Sequence, residues 1–176
     1  MHLAESFPDP ASVAVVFTSP LARALQTTTA AFSKIIRKDA ARGAQLIIDP
    51  DLQERSDLPC DTGSGRTKLS KTFPGLDFAG LGDEWFIKQG SYAADNAAVI
   101  ERAQRFRNKL SKTIASVEEN KDKDDTGRRA NIVVVTHGVF IKFLAEDDAI
   151  DLPKAGWKAF RLGNREGGDA TLLPLE

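Results

Sequence analysis

The segment Ile132-Val133-Val134-Val135-Thr136-His137-Gly138 constrains the fold more than any other part of this chain. Continuous runs of Val and Ile are typical of parallel β-strands that are buried on both faces of a sheet. Ligands of open α/β sheets bind beyond the carboxyl ends of such strands, and His137 stands at that point. The pattern therefore predicts a functional site at His137. The alternative is a histidine that only caps the following helix or satisfies a buried polar contact.

Strand and helix signals alternate along the chain. Short β-branched and apolar runs predict strands, and apolar residues at helical spacing predict helices between them. Ser19 and Pro20 are the residue types expected at the N-cap and at the first position of the first helix. The predicted elements are strands at 12–18, 46–48 and 132–135, and helices at about 19–37, 96–118 and 138–144. This alternation predicts an α/β fold, a three-layer αβα sandwich around a mostly parallel sheet.

The remaining segments are less regular. Residues 54–80 are rich in Gly, Pro, Ser, Thr and Asp, and this predicts a long loop that lines a site as a lid. A short helix is expected at about 81–89, and final strands at the sheet edge are expected at 157–162 and 170–173. The charged run 121–129 is interpreted as a solvated connection, although basic pairs such as Arg128-Arg129 can contact anions.

Composition and charge narrow the function classes. The 176 residues, of which 41% are hydrophobic, fit one domain with a sizeable core. Lysine and arginine total 24 against 25 acidic residues, so the net charge of −1 gives no electrostatic reason to expect nucleic acid or a membrane as partner. The lone cysteine, Cys60, cannot form an internal disulfide, and the first residues do not resemble a secretion signal. We therefore expect a soluble, cytoplasmic protein.

Arg23 is expected in the first turn of a helix that starts directly from a strand. The unsatisfied N–H groups and the positive end of the helix dipole favour an anion there, and a guanidinium binds phosphate oxygens as a two-pronged donor. The alternative is an ordinary surface arginine. A second strand end that carries His137 makes one shared phosphate pocket the simpler interpretation.

Three motifs together resemble the histidine phosphatase superfamily, which includes the phosphoglycerate mutases. They are Ser19-Pro20-Leu21-Ala22-Arg23-Ala24-Leu25-Gln26-Thr27, Leu52-Gln53-Glu54 and Val135-Thr136-His137-Gly138, in the family's order and spacing. The segments Pro59-Cys60-Asp61-Thr62-Gly63-Ser64 and Gly156-Trp157 are similar to the fungal phosphoglycerate mutase-like branch. The resemblance extends from Leu3 to the C-terminus, and it implies a phosphoglycerate mutase-like fold and a single domain over residues 1–176.

The resemblance implies hydrolysis or transfer of a phosphate monoester through a phosphohistidine. Arg23 would bind the phosphate, His137 would donate a hydrogen bond to a transferring oxygen, and Glu54 would protonate the leaving oxygen. A fixed arginine and an imidazole suit a reaction that depends on positioning and charge stabilisation. Without the other motifs, Glu54 would be interpreted as a solvated loop carboxylate. The family's chemistry implies no cofactor and no metal, and its substrates imply a small-molecule or protein phosphate ester as partner.

The chain departs from the family at the nucleophile. The family places its attacking histidine in an Arg-His-Gly motif at the end of its first strand, and these 176 residues contain no such motif. His2, the other histidine, would lie at a terminus that cannot hold an in-line geometry. We therefore expect an N-terminally incomplete domain that lacks the family's first strand, beside the His137 strand, and that has little or no phosphatase activity.

Two interpretations stay open at this point. One is a histidine phosphatase drawn without its N-terminal segment, and the other is a catalytically inactive protein, a pseudophosphatase, that binds a phosphorylated ligand. An in-frame strand ending in Arg-His-Gly upstream of Met1 would favour the first. The run Glu146-Asp147-Asp148 does not favour a metal site, because three consecutive acids point in different directions on a helix.

Overall fold

The computed structural model describes residues 7–37, 43–121 and 129–175, so His2 and most of the charged run 121–129 lie outside the described residues. The strands are β1 (Val13–Thr18), β2 (Gln45–Ile48), β3 (Asn131–Val135), β4 (Phe160–Asn164) and β5 (Ala170–Pro174). The helices are α1 (Ala22–Phe32), α2 (Arg66–Thr72), α3 (Asn96–Lys121) and α4 (Phe140–Ala145), with 3₁₀ turns at Pro10–Ser12, Pro50–Leu52 and Gly90–Tyr92. No helix of these described ranges is long and apolar enough to cross a membrane.

The central sheet is parallel and has the strand order β2-β1-β3. Thr18 at the end of β1 pairs with Ile48 at the end of β2 and with Val135 at the end of β3. The backbone pairing continues through hydrogen bonds from the N–H of Ser19 to the Val135 carbonyl (3.0 Å) and from the N–H of Asp49 to the Thr18 carbonyl (2.9 Å). The three strands therefore end together, and the segments that follow them converge at one end of the sheet.

Helices cover both faces of this sheet. On one face, Val15 and Phe17 of β1 pack against α3 and α4, in a cluster with Val99, Ala103, Phe106, Leu110, Phe140 and Leu144. On the other face, Val16 packs against Phe32 of α1, as the alternation of side chains along a strand requires. Burying each such side chain contributes about 1.5–3 kcal/mol. The predicted α/β fold, with helices on both sides of a parallel sheet, is confirmed.

Helix α1 is shorter than predicted at both ends. It begins at Ala22 with Leu21 as its N-cap residue, so the prediction that Ser19 caps it was wrong. It ends at Phe32 rather than near residue 37, and Ile36 instead forms an isolated parallel bridge with Ala44. The chain thus leaves the helix early because β-type pairing beside β2 takes up the following residues.

The segment between Glu54 and Gln89 also differs from prediction. Helix α2 forms inside the expected loop, and the expected helix at 81–89 is replaced by turns. The reason is tertiary packing: Trp85, which is 2% exposed, is buried in a cluster with Leu21, Leu25, Leu69, Phe78 and Leu81. This cluster fixes the segment against the start of α1, whereas α2 shows no helical period because Leu69 is its one buried residue.

Strands β4 and β5 pair with each other instead of extending the central sheet, so the expected edge position was wrong. They form an antiparallel hairpin whose turn contains Gly167 (φ 110°) and Gly168 (φ 92°), backbone conformations that favour glycine. Leu162 and Leu172 of the hairpin pack against the cluster shared by α3 and α4. Pairing of two strands that are close in sequence closes only a short loop, which favours the hairpin.

Candidate active site

His137 lies where the sequence predicts it, two residues beyond the end of β3. Its side chain is buried, and its Nε2 atom lies 2.8 Å from the hydroxyl of Ser19, the residue that follows β1. Thr136 anchors the same turn by donating a hydrogen bond to the Leu52 carbonyl (2.9 Å). The ends of two neighbouring strands and the segment after β2 therefore meet at His137.

The contacts of His137 define its tautomer. The Nε atom of Arg23 donates a hydrogen bond to Nδ1 of His137 (3.2 Å), and a guanidinium can only donate. The proton of the neutral ring must then reside on Nε2, which donates to Ser19. Burial, and then the nearby charge of Arg23, lowers the pKa of His137 to about 3, so the imidazole is neutral at physiological pH. His137 is a neutral, buried hydrogen-bond donor.

Arg23 occupies the first turn of α1, as predicted, and it contacts His137 directly. Its Nη1 atom donates to the Cys60 carbonyl (2.5 Å), and its Nη2 atom donates to Oδ1 of Asp61 (2.7 Å). Three of the five N–H groups of the guanidinium are engaged in this way. The side chain is 43% exposed, so the remaining donors can be reached from solvent.

Asp61 connects the loop after Glu54 to the guanidinium. Burial alone would raise the pKa of the Asp61 carboxyl, but hydrogen bonds from Ser56 and Arg23, and the charge of Arg23, outweigh it and hold this pKa below its usual range. The Ser56 hydroxyl donates to Oδ2 at 2.5 Å. An ionised carboxylate thus occupies part of the anion-binding edge of Arg23. Motif reasoning gave Asp61 no role, although it lies in the quoted segment Pro59–Ser64.

Glu54 is buried beside the turn that carries His137. Its Oε1 atom accepts from the N–H of Arg55 (2.8 Å) and of Phe140 (3.0 Å), and its Oε2 atom accepts from the N–H of Val139 (3.2 Å). The carboxylate therefore caps the N-terminus of α4, where backbone N–H groups lack helical partners. Glu54 and His137 are thereby linked through the two residues at the start of α4.

The opposite end of α4 is capped by a cation. Arg107 of α3, which is buried, donates to the carbonyls of Phe143 and Leu144, both at 3.0 Å. Glu146 pairs with Arg107 (3.3 Å) and with Arg165 (2.6 Å). A carboxylate at the N-terminus and a guanidinium at the C-terminus both match the helix dipole. No group of three or more potential metal ligands occurs in the described residues, and Glu146 is engaged in these ion pairs.

Arg102 supports the segment that carries Glu54. It is fully buried on α3 and donates from Nη1 to the carbonyls of Asp51 (3.1 Å) and Gln53 (2.7 Å), while its guanidinium stacks 4.5 Å from the centre of the Phe140 ring. Burial lowers the pKa of Arg102 to about 10. The signal for Arg102 was in the sequence, because a charged residue stands within the apolar stripe of α3, three residues after Val99.

Lys88 is the other cation near this turn, and no sequence pattern predicted it. Its Nζ atom donates to the main-chain carbonyl of Glu54 (2.6 Å). Burial, and then the charge of Arg102, lowers the pKa of Lys88 to about 8. Arg23, Lys88 and Arg102 all act on the electrostatic environment of His137. The site therefore combines a neutral imidazole with three cations and two carboxylates, a balance that favours an anionic ligand.

The site and the fold define the class of this protein. The chain belongs to the histidine phosphatase superfamily (branch 1), whose family model matches residues 1–166. A curated relative, a probable phosphatase of Schizosaccharomyces pombe, is 29% identical over 149 residues, which cover 81% of this chain and 61% of the relative. The chain thus spans about three fifths of that relative's length. No solved structure matches the chain significantly.

Proposed function

We propose that Arg23 and His137 bind the phosphate group of a phosphate monoester, either a small molecule or a phosphoprotein. The observation that carries the proposal is the direct contact between Nε of Arg23 and Nδ1 of His137, residues 114 positions apart in the chain. A partly exposed guanidinium and a buried imidazole N–H then face the same space. A tetrahedral anion with several oxygens can accept from both donors at once.

His137 acts in this proposal as a donor to a phosphate oxygen. Its Nε2 proton now points to Ser19, so a bound phosphate oxygen would replace that hydroxyl as acceptor. Its Nδ1 lone pair is occupied by Arg23. With one nitrogen protonated and the other accepting a hydrogen bond, the ring has no lone pair with which to attack phosphorus. A separate nucleophile is therefore required for transfer through a phosphohistidine.

Glu54 is proposed to protonate the leaving oxygen of the ester. Three backbone N–H groups now stabilise it as a carboxylate. To act as an acid it must take up a proton and give up at least one of these bonds, and the added negative charge of a phosphate dianion favours that uptake. Glu54 thus combines a structural role at α4 with the proposed chemical role.

The 176-residue chain tested alone is expected to bind phosphate and to turn over little or no ester, because His137 is not available as a nucleophile. The alternative, a pseudophosphatase that binds a phosphorylated ligand without transfer, shares the binding step. Membership in the superfamily and the relative described as a probable phosphatase support the phosphatase assignment for the whole protein. We place its action in the cytoplasm as part of the same proposal.

Titration with inorganic phosphate tests this proposal. The imidazole signals of His137, identified in NMR spectra by their loss in His137→Asn, should shift saturably as phosphate fills the site. In parallel, release of phosphate from a generic aryl phosphate should be negligible for the chain alone. Absence of any shift would contradict the binding site. A turnover of ordinary enzymatic size that disappears in His137→Asn would contradict the absence of a nucleophile.

A further inference from the structure

The side chain of Lys88 is half-buried and incompletely bonded. Its ammonium group has three N–H donors, and in the described part of the chain one of them is used, in the 2.6 Å hydrogen bond to the Glu54 carbonyl. No salt bridge joins Lys88 to a carboxylate among the described residues. A partly desolvated ammonium with unused donors gains most from an incoming anion.

The charged groups around Lys88 place it at the same site as His137. Arg102, Asp61, Glu54 and Asp57 all act on Lys88 electrostatically. The charge of Lys88 in turn acts on His137. The bond to the carbonyl of Glu54 fixes the ammonium beside the residue whose carboxylate caps α4. Lys88 thus belongs to the cationic surroundings of the imidazole although it lies far from the three motifs in sequence.

We propose that Lys88 is a substrate-binding residue that donates to a phosphate oxygen alongside Arg23 and His137. The proposal rests on the phosphate site proposed above and extends it to the loop before Gly90. Lys88 would supply the positive charge that Asp61 partly cancels at Arg23. A contact from this loop also makes it a determinant of which phosphate esters fit, since the loop differs in kind from the strand ends that carry the motifs.

Calorimetric titration of inorganic phosphate into matched variants tests Lys88. Lys88→Met and Lys88→Gln should each weaken phosphate binding about tenfold, the order expected for one charge-assisted hydrogen bond. Lys68→Met, at an exposed position on α2, makes the same change in net charge and should bind like the unsubstituted chain. Lys88→Gln keeps a donor for the Glu54 carbonyl, so it decides the outcome if Lys88→Met fails to fold. Unchanged binding by a folded Lys88→Gln would overturn the proposal.

The pH dependence separates a charge role from a structural role. Because the pKa of Lys88 is about 8, phosphate affinity of the unsubstituted chain should fall between pH 8 and about pH 9.5 as the ammonium loses its proton. Lys88→Arg keeps its charge in this range and should lose no affinity. Any change at Cys60, whose carbonyl contacts Arg23, is common to both proteins and cancels. Parallel profiles would overturn the charge role.

The same data distinguish the two proposals. If the unsubstituted chain and Lys68→Met both fail to bind phosphate, the phosphate site itself is wrong and the role of Lys88 falls with it. If both bind phosphate and Lys88→Gln binds equally well, only the role of Lys88 is wrong.

Discussion

The two sides of the site are held by different kinds of interaction. On one side, α4 is fixed by the buried residues Glu54, Arg102 and Arg107 and by the ring of Phe140. On the other side, Arg23 is 43% exposed and is held by the loop that contains Asp61. The first arrangement positions His137 through the core, and the second leaves a guanidinium open to solvent. The difference indicates a rigid wall for the imidazole and an adjustable wall for the ligand.

The largest effect should come from the core of the rigid side. Phe140→Ala removes a fully buried ring at the start of α4 and leaves a cavity under Arg102, so it should lower the free energy of unfolding by about 4 kcal/mol. Val139→Ala, at the neighbouring position with 41% exposure, should change it by less than about 1 kcal/mol. Chemical denaturation measures both. Equal losses would show that α4 is not anchored through Phe140.

Acid should weaken the rigid side through His137. Its folded-state pKa of about 3 lies below the ordinary value of 6.5, so the unfolded chain binds the proton first as the pH falls. Stability is therefore complete above pH 6.5 and declines toward pH 3, by about 1.4 kcal/mol per pH unit once below 6.5. Denaturation of the unsubstituted chain and His137→Gln between pH 7 and 4 tests this. Parallel decline in both proteins would contradict the buried neutral imidazole.

The cap at α4 should contribute an intermediate effect. Glu54→Ala leaves the N–H groups of Val139 and Phe140 without their acceptor and should lower the free energy of unfolding by about 2 kcal/mol. Glu54→Gln keeps an oxygen that can accept one of these bonds, so it should lose about half as much. Thermal and chemical unfolding of the two variants give the comparison. Identical losses would mean that the acceptor geometry does not matter.

The smallest effect on stability is expected at the adjustable side. Asp61→Asn weakens an ion pair to a partly exposed arginine and should change the free energy of unfolding by less than about 1 kcal/mol. It also removes a negative charge from the phosphate site, so phosphate affinity should rise by roughly two- to fivefold. Asp83→Asn, which breaks the exposed pair with Arg66, is the matched control. Weaker phosphate binding in Asp61→Asn would show that Asp61 orients Arg23 rather than competing with phosphate.

The rigid side was the more predictable from sequence. The β-branched runs and the residues that follow them gave the parallel strands, and the motifs then gave Arg23, Glu54 and His137. The bond between Arg23 and His137 follows from the end-to-end register of β1 and β3. Neither the cap formed by Glu54 nor the buried role of Arg102 could be predicted, because both depend on how the segment after β2 packs on α3 and α4.

The adjustable side was hidden for a different reason. Asp61 and Lys88 lie in the irregular stretch between Glu54 and the start of α3, where no hydrophobic period specifies the backbone path. The burial of Trp85 folds this stretch back toward α1, and that tertiary contact brings both charges to the site. Local sequence carries no record of such a contact.

The central claim is that Arg23 and His137 form one phosphate site, and a matched pair of arginine variants tests it directly. Arg23 and Arg66 are each 43% exposed and each pair with one aspartate at 2.7 Å, but only Arg23 contacts His137. Arg23→Gln should weaken phosphate binding about 100-fold, as expected for a guanidinium that clamps the anion, and Arg66→Gln should leave it unchanged. Equal phosphate affinity in the two variants, with both folded, would contradict the account.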